Sequence, residues 1–122
     1  MPSVRAIRGA TQVDSDTSEA IADATRELLL AILADNRLVS ATLIDAVFTT
    51  TPDLHAAFPA EVARALGWGD VPMLCVQEMD VTGALPRCVR VLLHAEVPVP
   101  RGDIHHVYLR GARALRPDLG ND

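Results

Sequence analysis

Apolar residues at Ile21, Ala24, Leu28, Leu29, Ile32 and Leu33 recur at the three- and four-residue spacing of a helix with one oily stripe. No other part of the chain sustains that pattern. Asp16 and Glu19, three residues apart just ahead of it, form a capping-box signature, so the spacing predicts a helix over 17–36. A helix that is apolar on one side only must lay that side on a second element, and the remaining apolar residues fall in short, strand-like runs. The combination constrains the chain to a sheet with a helix packed on it.

The strand-like runs are placed by alternation and by their breakers. Segment 4–13 puts Val4, Ala6, Arg8 and Ala10 on one face and Arg5, Ile7 and Gly9 on the other. Segment 43–51 is β-branched and ends at Pro52 and Asp53. Pro59 opens a short helix carrying Val62, Ala63 and Leu66, which Gly67 and Gly69 terminate. A third strand is expected over 71–78, a turn over 80–86, and the longest strand over 87–97. Pro98, Pro100 and Gly102 then break the chain before a short strand over 105–109. Segment 112–119 carries no assignable pattern. The order βαβαβββ predicts an α+β domain in which a five-stranded mixed sheet packs on one long helix. With 122 residues, a single domain spanning 1–122 is expected. One long helix and one short one cannot screen both faces of such a sheet, so self-association through the open face is expected.

Charge narrows the function. Eleven basic and 16 acidic residues give a net charge of −5, which argues against a nucleic-acid partner. All 11 basic residues are Arg, which excludes lysine Schiff-base chemistry and the lysine of a phosphate-binding P-loop. Each fixed cation is thus a planar fork suited to two-point contact with carboxylates. The two cysteines, Cys75 and Cys88, lie in apolar runs and read as free thiols. Neither a signal peptide nor a membrane span is evident, and a reducing cytoplasm is the expected setting.

Several polar residues stand out against this background. Arg90, within Cys88-Val89-Arg90-Val91-Leu92-Leu93, lies in a run that is apolar on both faces, where a guanidinium is unfavourable unless an anion meets it. Its partner is either a carboxylate of the chain, Glu78 or Glu96, or a ligand in an anion-binding pocket. Arg8 precedes Gly9, a residue that lets a ligand or another backbone come close, though a solvated edge arginine is the plainer alternative. Glu78 ends an otherwise neutral strand, on one face with Leu74 and Val76 and opposite Met73, Cys75 and Gln77. It is either solvated or placed to orient an arginine or accept a hydroxyl. Tyr108 is the only tyrosine. His55, His94, His105 and His106 are too dispersed for a metal site, and neither a metal nor a cofactor is expected. Two arginines, a glutamate and a tyrosine, without a nucleophile, equip a site to bind and polarise an acid.

Four blocks then read together: Arg8-Gly9-Ala10-Thr11; Thr51-Pro52-Asp53-Leu54-His55-Ala56-Ala57-Phe58-Pro59-Ala60; Gln77-Glu78-Met79-Asp80-Val81-Thr82-Gly83 with Cys88 and Arg90 beyond; and His106-Val107-Tyr108-Leu109 ending in Leu115-Arg116-Pro117-Asp118. In this order and spacing the chain resembles the AroH-class monofunctional chorismate mutases. The resemblance implies rearrangement of chorismate to prephenate on the way to phenylalanine and tyrosine, in a homotrimer of pseudo-α/β-barrel form with active sites between subunits. It implies that Arg90 meets the ether oxygen and a carboxylate of chorismate, that Arg8 binds a carboxylate, that Glu78 accepts the ring hydroxyl, and that Tyr108 holds the side-chain carboxylate. Leu74, Cys75, Val76 and Gln77 would edge the pocket. Phe58, Ala60 and Arg64 would reach in from a neighbouring subunit, and Leu115 and Arg116 would close its mouth in a tail expected to be flexible from about residue 116. Glu61 occupies a rim position that can be basic in the family. The rival class is a non-catalytic trimeric module that binds small carboxylates in the same clefts.

Overall fold

A computed structural model describes residues 3–117. The end of the last motif block and of the unassigned tail, Asp118 and Leu119, lies outside the described residues. The chain runs β1 (Ser3–Gln12), α1 (Ser18–Asp35), β2 (Leu43–Thr50), α2 (Pro59–Ala65), β3 (Met73–Gln77), β4 (Cys88–Val97) and β5 (Val107–Tyr108), with short 3₁₀ turns at Ser40–Thr42, Arg101–Asp103 and Arg110–Leu115. This is the expected βαβαβββ order. The strands form one mixed sheet in the order β3-β2-β4-β1-β5, with β4 antiparallel to both its neighbours and the outer pairs β2/β3 and β1/β5 parallel.

Both helices lie on the same face of the sheet. Leu28, Leu29 and Ile32 of α1 and Ala60 and Ala63 of α2 share one buried cluster with Ile7, Ala46, Phe48, Val91, Leu93 and Trp68. Strand alternation puts every second residue of β4 into that cluster or its continuation around Val13, Ile21, Ala24 and Val89. The opposite face is open and exposes Val4, Leu74, Val76 and Leu92.

The helix starts differently from its capping-box expectation. Thr17 is the N-cap, its Oγ1 accepting from the Ala20 N–H at 3.1 Å. Asp16 instead accepts the backbone N–H groups of His55 and Ala56 at 2.8 and 3.0 Å, tying the start of α1 to the loop before α2. Gly67, at φ +99°, ends α2 in the left-handed region as expected.

Gly9 serves the closed face. A Cβ there would lie 2.6 Å from Ile32 Cδ1 and 3.1 Å from Leu28 Cδ1, so the close approach is made by α1 side chains. The last strand is shorter than the expected 105–109. His105 spends both backbone groups on the Asn36 side chain at the end of α1, its N–H donating at 2.8 Å and its carbonyl accepting at 2.9 Å. The segment after β5, without pattern in the sequence, is a 3₁₀ turn whose Ala112 and Leu115 pack with Ala10 and Tyr108.

Candidate active site

The register assembles the site in one row across the open face. Tyr108 pairs with Ala10, Ala10 with Arg90, Arg90 with Thr49 and Thr49 with Val76, so these five residues lie side by side on strands β5, β1, β4, β2 and β3. Directly opposed residues share a face, which is why Tyr108 and Arg90 line one cleft although β5 and β4 are not neighbours in the sheet. Arg8 sits two residues before Ala10 on the same face of β1. Glu78 follows β3 by one residue, its N–H donating to the Thr50 carbonyl at 2.9 Å, which extends the ladder and aims it back over the row.

A cleft of about 370 Å³ opens above this row, lined by Arg8, Glu78, Arg90 and Tyr108 together with Thr49 and Leu92. The four polar residues singled out in the sequence are thus brought together. Thr49, which no pattern in the sequence had marked, belongs with them: its position opposite Arg90 is a matter of register alone. Arg90 Nε lies 2.5 Å from Glu78 Oε1, with the two side chains 40% and 15% exposed. Of the two candidate carboxylates, Glu78 is therefore the partner, while Glu96 is exposed near the far end of the same strand. The contact is an ion pair without an aligned hydrogen bond. Nε has no acceptor along its N–H, and Glu78 Oε2 and Thr49 Oγ1 are buried without a partner. A closed internal salt bridge would satisfy these atoms. Here they leave unspent hydrogen-bonding capacity in three residues that line the cleft.

The base of the site is held by a second polar network. Asp53 accepts the Arg87 backbone N–H with both carboxylate oxygens, at 3.2 and 3.0 Å, and the Thr51 hydroxyl at 2.5 Å. Thr51 Oγ1 in turn accepts the Cys88 N–H at 2.9 Å, and Arg87 Nε donates to the Val13 carbonyl at 2.9 Å. These bonds join the ends of β1, β2 and β4 three residues before Arg90, and hold Arg87 at φ +51°. Burial pushes the Asp53 carboxyl up, but hydrogen bonds from the Thr51 hydroxyl and the Arg87 backbone outweigh it and hold its pKa below the usual value. Nothing in the sequence beyond the Thr-Pro-Asp turn points to this clamp.

Alternation separates the residues of β3. Leu74 and Val76 are exposed on the open face, at 65% and 44%, whereas Cys75 is partly buried against the core. Cys75 and Gln77 line a different hollow of about 510 Å³ with His55, Phe58 and Glu61. Phe58 is 63% exposed and Arg64 is also exposed, so both are presented outward. Ala60 is not: it is 4% exposed, and its methyl is packed in the core of its own chain. Leu115 packs beside Tyr108, and Arg116 lies close enough to His106 for its charge to act on the imidazole. A third hollow, of about 440 Å³ beneath the 79–86 loop, is lined by Asp53 and Asp80 and by no cation, which unsuits it to an acidic ligand.

Both cysteines are free. Burial pushes the Cys88 thiol up to about 11, which keeps it protonated and unreactive at neutral pH. Among the described residues no three His, Cys, Asp or Glu side chains gather as a metal site, and no helix is long and apolar enough to cross a membrane.

Residues 4–119 match the family profile of chorismate mutase type I. The chain belongs to the type I chorismate mutase family. It is 47% identical over 117 residues to the chorismate mutase AroH of Bacillus subtilis (strain 168), covering 95% of this chain and 92% of that one. It is 52% identical over 117 residues to the chorismate mutase AroH of Thermus thermophilus, covering 95% and 96%. Among solved structures, a chorismate mutase from Clostridium thermocellum superposes with a TM-score of 0.88 at 43% identity, over 89% of this chain and 97% of that one. The type I chorismate mutase assignment is therefore carried by sequence and by fold, over nearly the whole chain.

Proposed function

We propose that the cleft over the Tyr108–Ala10–Arg90–Thr49 row is where this chorismate mutase converts chorismate to prephenate, and that three chains assemble so that each cleft is completed by a neighbour. The reaction is an intramolecular rearrangement in which the ether C–O bond breaks as a C–C bond forms. It calls for no nucleophile, metal or net proton transfer. What it needs is a flexible dianion held in its reactive chair-like form, and positive charge where the ether oxygen becomes negative.

The residues supply these two requirements. Arg90 sits at the centre of the row and places its guanidinium against the ether oxygen and one carboxylate. Arg8 takes a carboxylate by its planar fork. Glu78, through the buried oxygen that no protein donor meets, accepts the ring hydroxyl, and also orients Arg90 by their contact. Tyr108 braces the side-chain carboxylate from β5. Leu74 and Val76 border the open face, Cys75 and Gln77 the hollow beside it, and Phe58 and Arg64 are presented for a neighbouring subunit. Leu115 and Arg116 stand at the mouth. The homotrimer is supported by the apolar residues that the open sheet face leaves uncovered. A cytoplasmic setting accords with two free thiols.

One observation carries the assignment of the site: two arginines, a tyrosine and a glutamate with an unpartnered buried oxygen share a single cleft. The test is loss of chorismate ultraviolet absorbance with prephenate identified as product, run beside Arg90→Ala and with the oligomeric state measured by sedimentation. Arg90→Ala should lower turnover at least about a hundredfold, or roughly 3 kcal/mol of barrier, the scale of a lost oxyanion donor. Arg90→Lys should also be poor, since one ammonium cannot reproduce the fork. Full turnover in Arg90→Ala would remove Arg90 from the chemistry, and a monomer at micromolar concentration would remove the trimer.

A further inference from the structure

Strand β5 pairs with β1 at only two positions, Gly9 with Val107 and Ala10 with Tyr108. Upstream of them the chain turns away, because both backbone groups of His105 are taken by Asn36. The backbone N–H of Arg8, which points to this side of β1, would then face no carbonyl. It donates instead to Nδ1 of the His106 imidazole, at 3.0 Å. A side chain thus stands in for the missing rung of the ladder, at the residue whose own side chain lines the cleft.

We propose that His106 is a positioning residue for Arg8, its imidazole accepting the Arg8 N–H at Nδ1 and thereby fixing the strand edge from which Arg8 reaches the substrate. This rests on the role of Arg8 in carboxylate binding given above. The bond needs a lone pair on Nδ1, which imidazolium lacks, since both of its nitrogens are donors. The surroundings keep that lone pair available. Burial first, then the charges of Arg8 on β1, of Arg116 beyond the last 3₁₀ turn and of neighbouring His105, hold the imidazole below its ordinary pKa of 6.5. Protonation turns an acceptor into a donor that faces another donor, and sets a cation beside Arg8. Substrate binding should therefore weaken on the acid side, while the rearrangement step, governed by Arg90, should not.

The test compares wild type, His106→Leu, His106→Asn and Arg8→Ala by chorismate kinetics between about pH 5 and about pH 8, with hydrogen exchange of the Arg8 amide in the ligand-free protein. His106→Leu should raise KM about 3- to 10-fold, the worth of one hydrogen bond, with kcat within about twofold of wild type. His106→Asn, whose Oδ1 falls near the position of Nδ1 and does not titrate, should return KM to within about twofold and abolish its rise at acid pH. The Arg8 amide should be protected in wild type and in His106→Asn and exchange faster in His106→Leu. A wild-type KM in His106→Leu, or a raised KM that His106→Asn fails to repair, overturns the role of His106 while Arg8→Ala still raises KM. If Arg8→Ala leaves KM unchanged, the assignment of Arg8 fails, and the proposal with it.

Discussion

Along β4, Val89, Val91, Leu93, Ala95 and Val97 are enclosed beneath the helices, while Arg90, Leu92, His94 and Glu96, interleaved with them, look out from the open face. The two faces are made from the same strands and differ only in the parity of the residue. On the closed face nearly every atom is apolar and the neighbours are this chain's own helices. On the open face charged groups, Arg90 paired with Glu78 among them, stand among exposed Leu and Val side chains. Burial accounts for the first face and chemistry for the second: an arginine is tolerable in the middle of a sheet only where one side is left for an anion to reach it.

That division can be broken most directly by adjacent substitutions. Leu93→Ala should cost about 2–5 kcal/mol of stability in chemical denaturation and leave the turnover of the remaining folded protein near wild type. Arg90→Ala, three residues away on the other face, should do the reverse, keeping stability within about 1 kcal/mol while turnover collapses. A large stability loss in Arg90→Ala would make the Arg90–Glu78 contact a structural bridge. Gly9 tests the boundary between the faces, since it borders the cleft yet its missing side chain makes room for Ile32 and Leu28. Gly9→Ala should destabilise by about 1–3 kcal/mol through overpacking. Lost activity at unchanged stability would instead assign Gly9 to the cleft.

Glu78→Gln keeps a hydroxyl acceptor and removes the charge beside Arg90. A loss of about fivefold in kcat/KM is expected, on the scale of one weakened hydrogen bond. Inactivity equal to that of Glu78→Ala would show that charge is the requirement. The smallest effect is expected at Asp53, whose clamp sits where the two faces meet at the end of the sheet. Its folded pKa lies below the ordinary 3.8, so the unfolded chain binds the proton first as the pH falls. The clamp's stabilisation is therefore complete above 3.8 and is lost as the pH drops through the folded value. Between about pH 6 and about pH 3 the melting temperature should fall more steeply in wild type than in Asp53→Asn, and parallel curves would remove the clamp.

Most of the fold was legible because periodicity is a local property. The single stripe of α1, the strand runs and the breakers at Pro59, Gly67 and Pro98 each announced themselves within a few residues. Where the local signal was ambiguous the reading missed. The capping box put the cap at Asp16, and only the approach of His55 and Ala56 gave Asp16 another task and left the cap to Thr17. Gly9 was open to a ligand or a backbone, and the answer was a helix side chain. At the site, Arg8, Glu78, Arg90 and Tyr108 could be picked out by type and setting. Thr49, the Asp53 clamp and the His106 bond could not, for each acts through a partner at least 30 residues away in the chain or through a pairing register.

The sequence by itself determined which segments are helix and strand, that one sheet face would lie open, and which few polar residues are out of place in it. Family membership follows from the same residues in their order. Only the tertiary structure decided that β4 inserts between β1 and β2, and hence that Arg90 lies one strand from Ala10 and two from Tyr108 and the β3 edge. It decided as well that Glu78, not Glu96, meets Arg90. The physical reason is that alternation fixes the face a side chain takes from the chain's own geometry, whereas its neighbour across the sheet depends on strand order and register, which are set by how the whole apolar set is buried.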